Sequence, residues 1–194
     1  MRDPALYTID GKRVPSVTKI LALSGWSRWD HIPPEVLARA AERGHTVHAF
    51  TQLIDEGRAD YDLLPGDWHG YGRAYERFLV ETRFRVTALE EIVKNPQHRY
   101  CGTLDRRGEF QGPAILDIKT SEVLSVATPL QLAAYAGCFD APRHRRFVLR
   151  LNRTGAYKLD ECRSPLDWQR FQAAALTVNS QIDAGLIPLE DAHA

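Results

Sequence analysis

Apolar and polar positions alternate from Leu6 to Val14 about the pair Asp10-Gly11, the pattern of a short β-hairpin with a tight turn. Pro15-Ser16 then opens a helix over Val17 to Leu23, with Ser16 placed to cap its first turn. Gly25 to His31, carrying Trp26 and Trp29, reads as a loop. Pro33-Pro34 start a second helix from about Glu35 toward Ile54, with Gly44 as a point where it breaks or kinks. After a connection over Asp55 to Pro65, Tyr71, Tyr75, Phe78 and Leu79 recur at helical spacing and predict a third helix over Asp67 to Thr82.

The period then shortens to two. Phe84 to Val93, Arg99 to Phe110 and Ala114 to Thr120 predict three strands, with turns at Asn95-Pro96 and at Gly108 to Gly112. Thr128-Pro129 reads as the cap and first residue of a helix over Leu130 to Phe139. Arg145 to Leu151 and Ala156 to Glu161 predict a second strand pair, and Ser164-Pro165 starts a last helix to about Ala184, ended by Gly185. Helices, a three-strand meander, a helix, two strands and a helix make one α/β or α+β domain over residues 1–194.

At 194 residues and 22.0 kDa, two full domains would be a tight fit. No apolar run approaches the roughly 18 to 20 residues of a membrane span, and the polar start Met1-Arg2-Asp3-Pro4-Ala5 predicts no secretory signal. Formal net charge is zero, with 25 basic against 25 acidic residues, which excludes a uniformly basic coat for nucleic acid. Binding of nucleic acid would have to come from a local patch or a metal ion. Cys101, Cys138 and Cys162 are scattered, as expected in a reducing compartment, and three thiolates fall short of the four that hold a simple iron–sulfur cluster.

The chemistry concentrates in Gly102-Thr103-Leu104-Asp105 and Ile115-Leu116-Asp117-Ile118-Lys119-Thr120-Ser121. Side chains on a strand alternate faces, so Asp117 and Lys119 share one face while Ile118 points to the other. A carboxylate and an ammonium at the end of a buried strand need a partner or a task. The adjoining strand supplies Asp105, and two carboxylates on one site repel unless a cation lies between them. Oxygen donors of this kind suit Mg²⁺ or Mn²⁺. Downstream, Gln131 and Tyr135 lie four apart and share a helix face. Upstream, Arg43-Gly44-His45-Thr46-Val47-His48 sets histidines into a helix.

This set resembles the PD-(D/E)xK nuclease superfamily: Arg-Gly-x-x-x-His, then Gly-x-x-Asp, Asp-x-Lys and Gln-x-x-x-Tyr, in that order. It is most similar to the RecB-like branch, which includes phage and prophage exonucleases. Pro15 to Leu21 is similar to the first helix of such proteins, and Glu91-Ile92-Val93 resembles a further acidic position. The resemblance spans Pro15 to about Tyr135.

It implies a restriction-endonuclease-like, two-layer core, a central mixed sheet flanked by helices. It implies that His48, Asp105, Asp117 and the carbonyl of Ile118 ligate one or two Mg²⁺ or Mn²⁺ ions, that Lys119 orients or helps deprotonate the attacking water, and that Gln131 and Tyr135 position DNA or support the site. Glu91 is the further acidic candidate, with Glu90 beside it competing for the alignment. The family spacing selects His48 over His45. The implied activity is metal-dependent hydrolysis of DNA phosphodiesters, as an exonuclease of a phage, prophage or bacterial recombination or repair system, without an iron–sulfur cluster.

Arg43, Thr120, Ser121, Arg145 and Arg150 are candidates for DNA contacts. The run Arg143 to Arg153 either grips phosphates or blunts an exposed edge strand. Trp26, Arg28 and Trp29 either stack on bases or cover a helix junction. A structure-specific endonuclease and a non-catalytic DNA-binding module are the alternative functions.

Overall fold

The computed structural model describes residues 7–28, 32–140 and 143–188. Strands β1 (Thr8–Ile9) and β2 (Lys12–Arg13) form the predicted hairpin, with Asp10 and Gly11 at φ +50° and +73° in its turn. Helix α1 (Val17–Leu23) follows, and the Ser16 hydroxyl accepts from the Lys19 N–H. Helix α2 (Pro34–Asp55) runs unbroken through Gly44. A glycine costs a helix only about 1 kcal/mol, so it does not force a kink. Two short 3₁₀ turns lead to α3 (His69–Thr82).

A five-stranded sheet follows in the order β3-β4-β5-β6-β7: β3 (Arg85–Asn95), β4 (Tyr100–Glu109), β5 (Pro113–Lys119), β6 (Arg145–Leu151) and β7 (Tyr157–Glu161). All neighbours are antiparallel except β5 and β6, which run parallel. A parallel pair needs a crossover, and α4 (Ala127–Ala136) supplies it. Helix α5 (Leu166–Asp183) ends just before Gly185, at φ +69°. The fold is α+β, with a mixed central sheet flanked by helices. Among the described residues no helix is long and apolar enough to cross a membrane.

Helices cover both faces of the sheet, so there are three layers rather than the expected two. Ile115 and Val148 belong to one core with residues of α1, α4 and α5. Ala114, Leu116, Ile118, Phe147, Leu149 and Leu151 belong to the other, against α2 and α3. Burial on both sides explains why Ala114, Ile115 and Leu116 in β5, and Phe147, Val148 and Leu149 in β6, are apolar in succession.

Helix α4 begins earlier than Thr128. Its first residue is Ala127, whose N–H donates to the Ser125 hydroxyl, and Thr128 lies inside the helix. Pro129 is then third in the helix, still within the first turn, where a missing N–H costs nothing. The helix stops at Ala136 rather than Phe139, and the next residue, Gly137, lies so close to the Trp168 ring that a Cβ there would sit 2.5 Å from it.

Candidate metal centre

Asp105 lies where the β4–β5 ladder ends. Paired residues run from Glu109↔Pro113 to Arg106↔Leu116. One step further, the Asp105 Oδ2 accepts the Ile118 N–H at 2.8 Å, standing in for the carbonyl a regular ladder would offer. The Ile118 carbonyl lies 2.7 Å from His48 Nε2, on α2. Only the imidazole can donate in that pair, so Nε2 carries the proton. Nδ1 faces the Asp105 Oδ1 at 3.6 Å, beyond hydrogen-bond length, so the two donor atoms are held near each other without bonding directly. One donor atom each from His48, Glu90 and Asp105 falls within 4.8 Å of the others. An imidazole with two carboxylates fits Mg²⁺ or Mn²⁺. His45, the competing histidine, is exposed.

Glu90 stands in this trio and Glu91 does not. Leu89 pairs with Arg106 and Glu91 with Leu104, which puts Glu90 across from Asp105. Its φ of +46° is uncommon for a residue with a Cβ and takes it out of the regular alternation. The alternation on β4 changes phase at the same point. Tyr100 and Leu104 belong to the core under α1, α4 and α5, whereas Arg106 lies over the Tyr75 ring of α3. Glu91 is held by the Arg107 guanidinium at 2.7 and 3.0 Å. Glu90→Gln is therefore expected to weaken Mn²⁺ binding by at least about tenfold, while Glu91→Gln leaves it unchanged, measured by titration calorimetry.

Asp117 is 1% exposed and next to the trio. The Lys119 ammonium lies 3.0 and 2.8 Å from its two oxygens, and the lysine side chain is partly exposed. Burial pushes the Asp117 carboxyl above the usual carboxylate range; Lys119 pulls it back, and Asp105 pushes it further up.

Gln131 and Tyr135 meet as their spacing predicts, the amide donating to the phenol oxygen at 3.0 Å. The Tyr135 ring rests on β4 at Gly102, where an added Cβ would lie 2.5 Å from Cε1 and 3.1 Å from a Val17 methyl. Gly102 thus sets the approach of α4 to the strand that carries Asp105. Gly102→Ala is expected to destabilise the fold by about 1–3 kcal/mol through overpacking, read as a lower urea midpoint.

The other candidates are placed as follows. Arg43 donates to the Thr120 hydroxyl at 3.3 Å. Ser121 donates to the Val123 carbonyl, closing a turn. Arg145 is paired with Glu161, and Arg150 with Asp160, each across the β6–β7 ladder. Strand β6 is interior, so these arginines do not blunt an edge; they neutralise the acids of β7. Trp26 packs against the α1–α4–α5 core, and Trp29 and His31 lie outside the described residues. Cys101 is fully buried and its thiol is pushed up to about 11 by desolvation.

Sequence reasoning missed Arg106, which is 0% exposed. Its guanidinium donates to Asp55 at 2.6 Å, to the Asp105 carbonyl at 2.7 Å, to Thr51 at 3.0 Å and to Glu90 at 3.3 Å. It thereby ties two members of the trio to α2. The one signal in the sequence is a charge directly after Asp105 in a predicted strand.

No protein-family model matches the chain and no curated protein matches it, so the functional reading rests on the residues themselves.

Proposed function

We propose that the protein is a metal-dependent deoxyribonuclease of the PD-(D/E)xK type, RecB-like, which hydrolyses DNA phosphodiesters as an exonuclease in the cytoplasm of a bacterial or phage-infected cell. The observation that carries this reading is the trio His48, Glu90 and Asp105 beside the buried Asp117–Lys119 pair, all at the end of one strand ladder. His48, Glu90 and Asp105 would hold a Mg²⁺ or Mn²⁺ ion. Asp117 and the Ile118 carbonyl are the further donors that the resemblance adds, and both adjoin the trio. When bound, the cation supplies neutralisation of the phosphate charge and acidification of water.

The chain's own groups supply the rest. Ile118 fixes the His48 ring through the 2.7 Å contact, and Arg106 fixes Glu90 and the Asp105 backbone. The Lys119 ammonium is preorganised by Asp117, so it meets an anionic phosphate without having to reorganise. Asp117 keeps that ammonium aimed and keeps its charge compensated.

The test is cleavage by purified protein with Mg²⁺ or Mn²⁺. End-labelled linear DNA, single- and double-stranded, runs beside closed circular DNA, with EDTA and Lys119→Ala as controls. Metal-dependent loss of linear DNA alone is the expected result. Nicking of the circle would move the assignment to an endonuclease, and binding without cleavage to a non-catalytic module.

A further inference from the structure

On the α2–α3 side of the sheet a polar cleft of about 470 Å³ opens between Arg43, Asp67, Trp68, Tyr71, Arg153 and Thr154. Three observations give it a character of its own. First, its two guanidiniums have no carboxylate within ion-pair distance among the described residues. Arg106, Arg107, Arg145, Arg146 and Arg150, by contrast, each have at least one. Arg43 spends only one N–H, on Thr120, and otherwise lies over the Tyr71 ring. Second, the wall that carries Arg153 is held in place. The β6–β7 turn presses on the start of α3 so closely that a Cβ at Gly70 would fall 1.7 Å from the Arg153 carbonyl. Third, the cleft adjoins the metal centre. Arg43 is five residues before His48 on the same helix, about 7.5 Å along its axis, and its partner Thr120 follows Lys119.

Two guanidiniums that no described carboxylate pairs, flanked by an indole and a phenol, match a phosphate oxyanion next to a flat base. Guanidinium pairs bind phosphate oxygens bidentately, and aromatic faces stack any unpaired base. One acid, Asp67, stands against the two arginines.

We propose that this cleft is a nucleic-acid subsite: Arg43 and Arg153 bind a backbone phosphate beside the metal centre, and Trp68 stacks on an unpaired base there. The position of the phosphate relative to cleavage rests on the nuclease reading; the binding itself does not.

The experiment separates the two. A fluorescein-labelled single-stranded oligonucleotide is titrated with full-length protein in EDTA, where no cleavage occurs, and anisotropy is followed over a series of salt concentrations. Trp68→Ala is expected to weaken binding roughly tenfold. Arg153→Ala is expected to weaken it and to lower the slope of log affinity against log salt by about 0.7. Arg170→Ala, on α5 across the sheet, removes the same charge and is expected to change neither affinity nor slope beyond the loss of general attraction. Inorganic phosphate as competitor should displace the strand only weakly. Equal affinity and slope for wild type, Arg153→Ala and Trp68→Ala would overturn the subsite, even if Mg²⁺-dependent cleavage is present. Full competition by phosphate alone would reduce it to a simple anion site and overturn the stacking role. Arginine- and tryptophan-dependent binding by a protein that cuts nothing would sustain the subsite while removing the nuclease reading.

Discussion

Lys119→Ala is expected to lower DNA cleavage by roughly 10²–10³-fold, the scale seen when one preorganised electrostatic donor is removed. Asp117→Asn should fall as far, because the ammonium loses the carboxylate that aims it at 2.8–3.0 Å. The two variants separate in their stability. Lys119→Ala leaves a carboxylate that is 1% exposed without its cation, an arrangement that costs about 3–5 kcal/mol. Asp117 already sits above the usual carboxylate range through burial, and losing Lys119 raises it further. Its folded pKa then exceeds the unfolded value, so the folded state binds more protons. Stability of Lys119→Ala is thus highest below the unfolded value, near 3.9, and is lost as pH rises through the folded one. A thermal melt series in EDTA should show this variant gaining stability on acidification relative to wild type. Asp117→Asn, with no charge to bury, should lack that gain, and the double variant should melt close to wild type. A pH-independent difference between Lys119→Ala and wild type would mean that the pair is not coupled as described.

Much of this arrangement is legible in the sequence where the cause is local. Ser16 caps α1 because its hydroxyl needs only the amide three residues on. Asp117 and Lys119 share a face because a strand has period two, and Gln131 reaches Tyr135 because a helix brings residues four apart together. What is not legible depends on partners distant in sequence or on a broken period. Strict alternation gives no means of choosing Glu90 over Glu91; the left-handed φ at Glu90 does that. The arginines of β6 look like a basic patch until β7 brings Glu161 and Asp160 across. The start of α4 is hidden because Pro is tolerated anywhere in a first turn, so Thr128-Pro129 mimics a cap. The second helical layer is not foreseen: Ala114, Ile115 and Leu116 are apolar in succession and buried on both faces, yet nothing local says which helices cover them.

Arg106→Met is expected to destabilise the fold by about 3–5 kcal/mol, a large share of the 5–15 kcal/mol typical of a domain. The partner, Asp55, has a side chain 3% exposed and accepts the Tyr75 hydroxyl at 2.9 Å on each oxygen. Burial already raises the Asp55 carboxyl, and Arg106 is the main group pulling it down. Without the guanidinium, Asp55 rises further, so the variant should again be relatively more stable in acid and lose stability as pH climbs. Asp55→Asn on the Arg106→Met background keeps an acceptor for Tyr75, removes the stranded charge, and should recover part of the urea midpoint. Recovery of the fold should not recover the site. Arg106 also holds Glu90 at 3.3 Å and the Asp105 carbonyl at 2.7 Å. The rise in melting temperature produced by Mn²⁺ measures how tightly the folded state binds the ion, and it should be large in wild type and small in the refolded double variant. Arg106→Lys gives the sharper contrast. A lysine keeps the charge against Asp55 but cannot fork to four acceptors, so stability should return further than the Mn²⁺ shift does. Equal Mn²⁺ shifts in wild type and all three variants would confine Arg106 to the core and detach it from the metal centre.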